Sequence, residues 1–237
     1  MKAIENREQL LEAEKQRHAA RSYTDRPIDP DAVEKLEELS AQLGKEGNLN
    51  IQLILDDPAA FKSGMARFGS FENVRNCIAI GGVPAPDLEE RAGYYGEQLV
   101  LLAQTLGLNT CWVGMTFNKS AVRSTFKLAR GEKLVIVISL GYGTTQGSPH
   151  KVKDLSEICD EDTAEIPDWY RAGLESALLA PTAVNQQKFS FSRKGTAVTA
   201  KADPGALASL DFRRVDLGIV KFHFELGAGP ENFTWDN

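Results

Sequence analysis

Ala180-Pro181-Thr182-Ala183-Val184-Asn185-Gln186-Gln187 closes a helical segment, Trp169 to Leu179, and runs directly into the strand-like Phe189-Ser190-Phe191. Pro181 has no N–H and cannot extend the helix, while Asn185 and Gln187 bring carboxamides that both donate and accept. Small Thr182 and Ala183 would let a planar ligand approach the backbone. Such a loop suits a heteroaromatic ring with alternating donors and acceptors. It also suits a polar helix-to-strand turn, and the octapeptide alone does not choose between them.

Beyond the loop, Phe189 to Phe191 and Ala197 to Ala200 read as a hairpin around Lys194-Gly195, Asp203-Pro204 opens another helix, and Asp216 to Leu226 is apolar nearly all round. Before it lie a short turn, Asp154 to Glu157, and the alternating Lys151 and Lys153. The unbroken apolar run Leu134 to Leu140, ending in Gly141-Tyr142-Gly143, predicts a strand buried on both faces. Asp87 to Leu106 predicts a long helix whose Leu99-Val100-Leu101-Leu102-Ala103 is apolar on every side, hence central and buried. Further strands are expected at Asn50 to Leu55 and Cys77 to Ile80. Asn6 with Gln9 resembles a capping box for a first helix that gives out near His18; Asp29-Pro30 starts a second, ending at Gly44.

Gly96 to Gly107 and Asp216 to Gly227 are twelve-residue blocks offset by 120, both ending Leu-Gly. Leu36 to Leu55, helix then strand, answers Leu174 to Arg193 in the same way. The chain reads as two diverged copies of a helix-strand-helix unit.

At 237 residues and 42% hydrophobic, the chain can bury a sizeable core. A net charge of −6 and no dense Lys/Arg run argue against nucleic acid, and no stretch approaches the ~18 apolar residues of a membrane span. A cytoplasmic protein is expected. Cys77, Cys111 and Cys159 lie far apart without metal spacing, so neither a disulfide framework nor a zinc site is expected. Arg17 and Arg21, four apart at a helix exit, could sit as solvated charges or converge on one anion. His223 falls inside an apolar helix and reads as a hydrogen-bonded core residue.

Four segments together resemble the nitroreductase-like flavoprotein family. Arg17-His18-Ala19-Ala20-Arg21 is similar to its opening phosphate motif, with Ala19 where the family carries Ser. Ala180 to Gln187 resembles its Ala-Pro-Ser-x-x-Asn-x-Gln loop. Gly107 to Gly114 resembles the segment lining the flavin ring, and Gly141-Tyr142-Gly143 with Lys151 and Lys153 the late basic clamp. In ordinary members the Pro-Ser-x-x-Asn loop comes early in the chain; here its counterpart lies more than 150 residues after the arginines. Family sites form between two subunits, one supplying this loop, so the order suggests a single-chain, two-repeat branch in which one polypeptide reproduces the pair.

The resemblance implies an α+β, nitroreductase-like fold: a central, mostly antiparallel sheet flanked by helices, with a first half at 1–160 and a second at 161–237 forming one compact unit. It implies flavin mononucleotide (FMN) as cofactor, NADH or NADPH as transient co-substrate, and a nitroaromatic, quinone or similar acceptor. Arg17, with Lys151 and Lys153, would neutralise the phosphate; His18 and Ala19 belong to that motif; Arg21 would bind phosphate or the N1/O2 edge of the ring. The backbone of Val113, Gly114 and Met115 would lie near flavin N5. Pro181, Thr182, Ala183 and Asn185 would pack on ribityl and ring, with Gln187 nearby. No side chain is expected to act as acid or base, because the cofactor carries the hydride. A monomeric pseudo-dimer or a homodimer is compatible with this layout. The rival readings are a flavin carrier or sensor without turnover, and a non-flavin structural domain whose arginines and loop never meet.

Overall fold

The computed structural model describes residues 6–62, 68–204 and 212–236. Its elements run α1 (Arg7–Gln16), α2 (Pro30–Gly47), β1 (Asn50–Ile54), α3 (Ala59–Lys62), β2 (Asn76–Gly82), α4 (Leu88–Thr105), β3 (Asn109–Val113), α5 (Lys119–Thr125), β4 (Lys133–Gly141), α6 (Asp168–Leu179), β5 (Phe189–Lys194), β6 (Ala197–Ala202), α7 (Arg213–Ala228) and β7 (Thr234–Trp235). The four strands of the first half form an antiparallel sheet in the order β1-β2-β4-β3, and those of the second a small sheet in the order β5-β6-β7. The β5–β6 pair is antiparallel and β6–β7 parallel.

The apolar run of β4 has the burial its composition predicts. Ile136, Ile138 and Leu140 face the main core with Ile78 and Ile80 of β2, while Val137 faces a second cluster with Cys77, Ala79, Phe117 and Phe126. A strand alternates its side chains between faces, so a strand covered on both sides must be apolar at every position. The β-branched residues that fill it also suit a pleated surface.

The axis of the molecule is the crossing of α4 and α7, whose residues are buried on nearly all sides. Two glycines permit the approach. A Cβ on Gly93 would collide with the carbonyl oxygen of Val215, and a Cβ on Gly218 with that of Glu90. The contact is reciprocal, each glycine meeting the carbonyl three residues before the other. The matched positions are 125 apart, five more than the offset between the two Leu-Gly blocks. Lys221 pairs with Glu90 at 2.5 Å and Tyr94 Oη donates to Glu225 at 2.5 Å, fixing the crossing at its edges.

Local expectations fail where backbone geometry replaces side-chain chemistry. Asn6 has φ 54° and makes no side-chain cap; Asp29-Pro30 starts α2 as expected, though the Asp29 carboxylate accepts from Arg26 and Tyr142 and makes no cap bond to the helix. Gly44 does not end α2. The helix continues to Gly47 and stops at Asn48 in the left-handed region, while Leu49 N–H donates back to Gly44 O. The helix expected after Asp203-Pro204 lies outside the described residues. No described helix is long and apolar enough to cross a membrane.

Candidate functional site

The Pro181 loop is a strained, hydrogen-bonded turn. Val184, Asn185 and Gln187 have φ of 49°, 53° and 44°, a region that asparagine tolerates and a β-branched valine does not. Gln187, buried, is its hub: Nε2 donates to Lys151 O at 2.6 Å and Asn185 Oδ1 at 2.9 Å, and Oε1 accepts from Lys153 N–H at 3.0 Å. Asn185 Nδ2 also donates to Lys151 O, at 2.9 Å. Lys153 Nζ donates to Gln187 O at 2.8 Å, so the segment carrying the two lysines is stitched along the loop. Lys151 remains exposed at the rim. Thr182 Oγ1 accepts from Gln187 N–H, and Asp216, on the first turn of α7, accepts from Ala183 N–H and Gln186 Nε2.

The opening arginines sit beside the other sheet. Arg17 leaves α1 in extended conformation, is only 4% exposed, and holds Nε 3.9 Å from Glu97 Oε1, a buried donor with no hydrogen-bond partner. Burial lowers its pKa and Glu97 opposes that effect. Ala19 pairs with Thr110 of β3, Ala20 N–H donates to Thr110 O, and Tyr23 pairs with Gly143. Ala19 and Arg21 face solvent; burial raises the pKa of the Cys111 thiol and the nearby charge of Arg21 opposes that. Gly147 packs directly on the Cβ of His18. Burial lowers the pKa of His18, and the charges of Arg17 and His150 lower it further.

Behind Arg17 lies a buried polar chain that joins four helices and β3. Ser176 Oγ donates to Glu14 at 2.5 Å; His223 bridges Glu14 and Glu97 at 3.0 Å each; Trp112 Nε1 donates to Glu97 at 2.8 Å. Burial alone would lower the pKa of His223, but the hydrogen bonds and charges of the two carboxylates outweigh it and push it up to about 9. His223 is thus the hydrogen-bonded core histidine expected from its apolar helix. Glu14 and Glu97, spaced as ordinary helix residues, carried no signal that they would meet it.

Val113 is buried in β3, and Gly114 follows with the Phe212 ring where a Cβ would stand. Phe212 immediately precedes α7, so Val113 to Met115 and the loop are both tied to the start of that helix. His150 was also missed: its Nε2 donates to Leu178 O at 3.0 Å and it feels the charge of Arg17, placing it between the α6 terminus and the opening arginines. The structure therefore joins Lys151, Lys153, Thr182, Asn185 and Gln187 by direct bonds. Arg17 and Arg21 make their contacts on α4 and β3 instead. Elsewhere, Cys159, Asp160 and Glu161 bring ligand-type atoms within 4.8 Å of one another, but Glu161 is engaged by Arg193.

A four-stranded antiparallel sheet flanked by helices, with arginines at its edge and a clasped Pro-Thr-x-x-Asn turn, defines an α+β protein of the nitroreductase type. The chain belongs to the family described as "Putative TM nitroreductase", whose match spans residues 9–228. Its fold is similar to that of a "putative nitroreductase" from Thermotoga maritima, at 21% identity and TM-score 0.67, covering 94% of this chain and 84% of that one. A nitroreductase family protein from Streptococcus pneumoniae is 17% identical with TM-score 0.52, covering 64% of this chain and 99% of that one. A "putative nitroreductase in complex with fmn" from Desulfovibrio desulfuricans is 19% identical with TM-score 0.51, covering 62% of this chain and 93% of that one. No curated protein matches the chain.

Proposed function

We propose that this chain is an FMN-dependent oxidoreductase that passes a hydride from NADH or NADPH to a nitroaromatic, quinone or similar small acceptor, at a site assembled from both halves of one polypeptide. The observation that carries this reading is the clasp between Lys151–Lys153 and Thr182–Gln187, because it brings a basic segment of the first half onto the loop of the second. Family membership and the FMN-bound relative support it. The guanidinium of Arg17, whose buried Nε has no hydrogen-bond partner and only the Glu97 carboxylate 3.9 Å away, would supply the positive charge an anionic group needs.

FMN, when bound, supplies the hydride-carrying ring. Arg17 and Lys151 offer positive charge to its phosphate; Lys153 has one ammonium donor committed to Gln187 O and the others available. Arg21 stands at the open end of the same edge. Asn185 and Gln187 spend their amides on Lys151 O and on each other, so their role is to fix the loop while Pro181, Thr182 and Ala183 present the surface. Val113, Gly114 and Met115 would supply backbone N–H groups toward the ring.

The reciprocal α4–α7 crossing supports a pseudo-symmetric, single-chain arrangement, as does the way one ordinary relative is covered almost whole by about two thirds of this chain. A non-catalytic flavin carrier or sensor is the second reading, favoured by the Phe212 ring over Gly114 and by Ala19 in place of the motif serine. The test is the visible spectrum of the protein after loading with excess FMN and desalting, followed by anaerobic NADH or NADPH. A retained flavin band that bleaches supports the enzyme; retention without bleaching supports the carrier; no retention overturns both.

A further inference from the structure

We propose that Asp216 is the positioning residue of the cofactor loop, imposing from α7 the left-handed backbone that Thr182 to Gln187 would not hold by itself. This rests on reading that loop as a flavin contact.

Val184 sits at φ 49° and ψ 27° with its side chain 96% exposed. A β-branched residue in that region is strained, and with no packing around its side chain nothing local compensates. The restraint must come from the residues on either side. Ala183 N–H lies 3.1 Å from both carboxylate oxygens of Asp216, and Gln186 Nε2 donates to one of them at 2.8 Å. Asp216 thus grips the chain immediately before Val184 and two residues after it.

The opposite side of the turn is closed by Asn185 N–H to Thr182 O and by Gln187 N–H to Thr182 Oγ1, and its C-terminal end is tied by Asn185 and Gln187 to Lys151 and Lys153. None of these bonds reaches Ala183 N–H or the Gln186 side chain, the two groups on either side of Val184 that Asp216 holds. The residue is only 8% exposed and stands two positions before Gly218, where α7 packs backbone to backbone against α4. An ionised carboxylate is an acceptor at both oxygens and can serve the amide N–H and the glutamine together. Asparagine keeps one uncharged accepting oxygen and would turn its NH2 toward the Ala183 N–H, so its grip is weaker without being lost.

The experiment compares wild type, D216N, D216A, V184G and D216A/V184G by two readouts: hydrogen exchange of the Ala183 to Gln187 amides in flavin-free protein, and the FMN dissociation constant. D216A is expected to speed loop exchange and weaken FMN at least tenfold, with D216N intermediate. Glycine adopts positive φ without strain, so V184G should restore at least half of the logarithmic loss when added to D216A, each measured relative to V184G alone. Unchanged exchange in D216A, or a folded double variant with no recovery, overturns the proposal. If D216A simply unfolds α7, seen as loss of helical circular dichroism, D216N carries the same comparison with D216N/V184G. Loop exchange that responds as expected in a protein that never binds FMN would leave Asp216 in its role and remove the cofactor reading.

Discussion

Arg17, Asn185 and His223 show how differently three polar residues use burial. Arg17 is enclosed with a poorly satisfied guanidinium, so R17Q should weaken FMN by about tenfold or more, the scale of one or two charge-assisted hydrogen bonds. N185A removes a bond to Lys151 O and should weaken FMN by a similar order although it lies in the other half of the chain. Flavin fluorescence titration checks both, and an unchanged dissociation constant for either removes that residue from the shared site. His223 lies between two carboxylates, and H223A should destabilise the fold by about 3–5 kcal/mol in chemical denaturation, because Glu14 and Glu97 would be left buried without their cation. The sequence exposed the residue types at these positions. It did not expose Asp216, Phe212 or His150 as parts of one neighbourhood, since each owes its place to a contact between elements distant in the chain.

At the scale of elements, the decisive contact is α4 against α7. Their all-round apolar character was readable as central burial, but the register of the crossing is set by where two glycines remove side chains, and glycine occurs in helices for many reasons. G93A and G218A should each lower stability by roughly 3 kcal/mol, at the upper end of overpacking costs, because the added methyl would meet backbone carbonyl rather than a side chain that could turn aside. The double variant should cost less than the sum, since separating the helices once relieves both collisions. Thermal unfolding of the three proteins decides this; tolerance of either alanine would mean the helices can cross elsewhere. The β5–β6–β7 sheet was half visible: the hairpin is there but turns at Gly195-Thr196, with Lys194 still paired to Ala197, whereas Trp235 joins beside β6, packing with Phe224 and Phe233 and donating to Glu225.

For the whole molecule, pH dependence follows from the buried chain of charges. The folded pKa of His223, about 9, exceeds the ~6.5 of an exposed imidazole, so its contribution is complete below about pH 6.5 and is lost as pH rises through about 9. The melting temperature should fall between pH 7 and 10 by more in wild type than in H223Q, which has no proton to lose there. A second expectation concerns assembly: if one chain carries both halves of the site, FMN titration in a sedimentation experiment should saturate at one equivalent per chain for each complete site, without requiring a second chain. Saturation only in dimers would show that the loop serves a neighbour.

Most of the longer elements, the burial of β4, α4 and α7, and the candidate segments were readable from the residues alone, because periodicity, unbroken apolar runs and short-range motifs are local properties; the short α3 and β7 were not. The sequence also carried the order of those segments along the chain. Tertiary contacts alone bring Lys151 and Lys153 against Gln187, bury Arg17 beside Glu97, and place Asp216 against Ala183 and Gln186. These depend on where side chains separated by tens to hundreds of residues come to rest, and that is set by how α7 fits into the groove that Gly93 and Gly218 leave open.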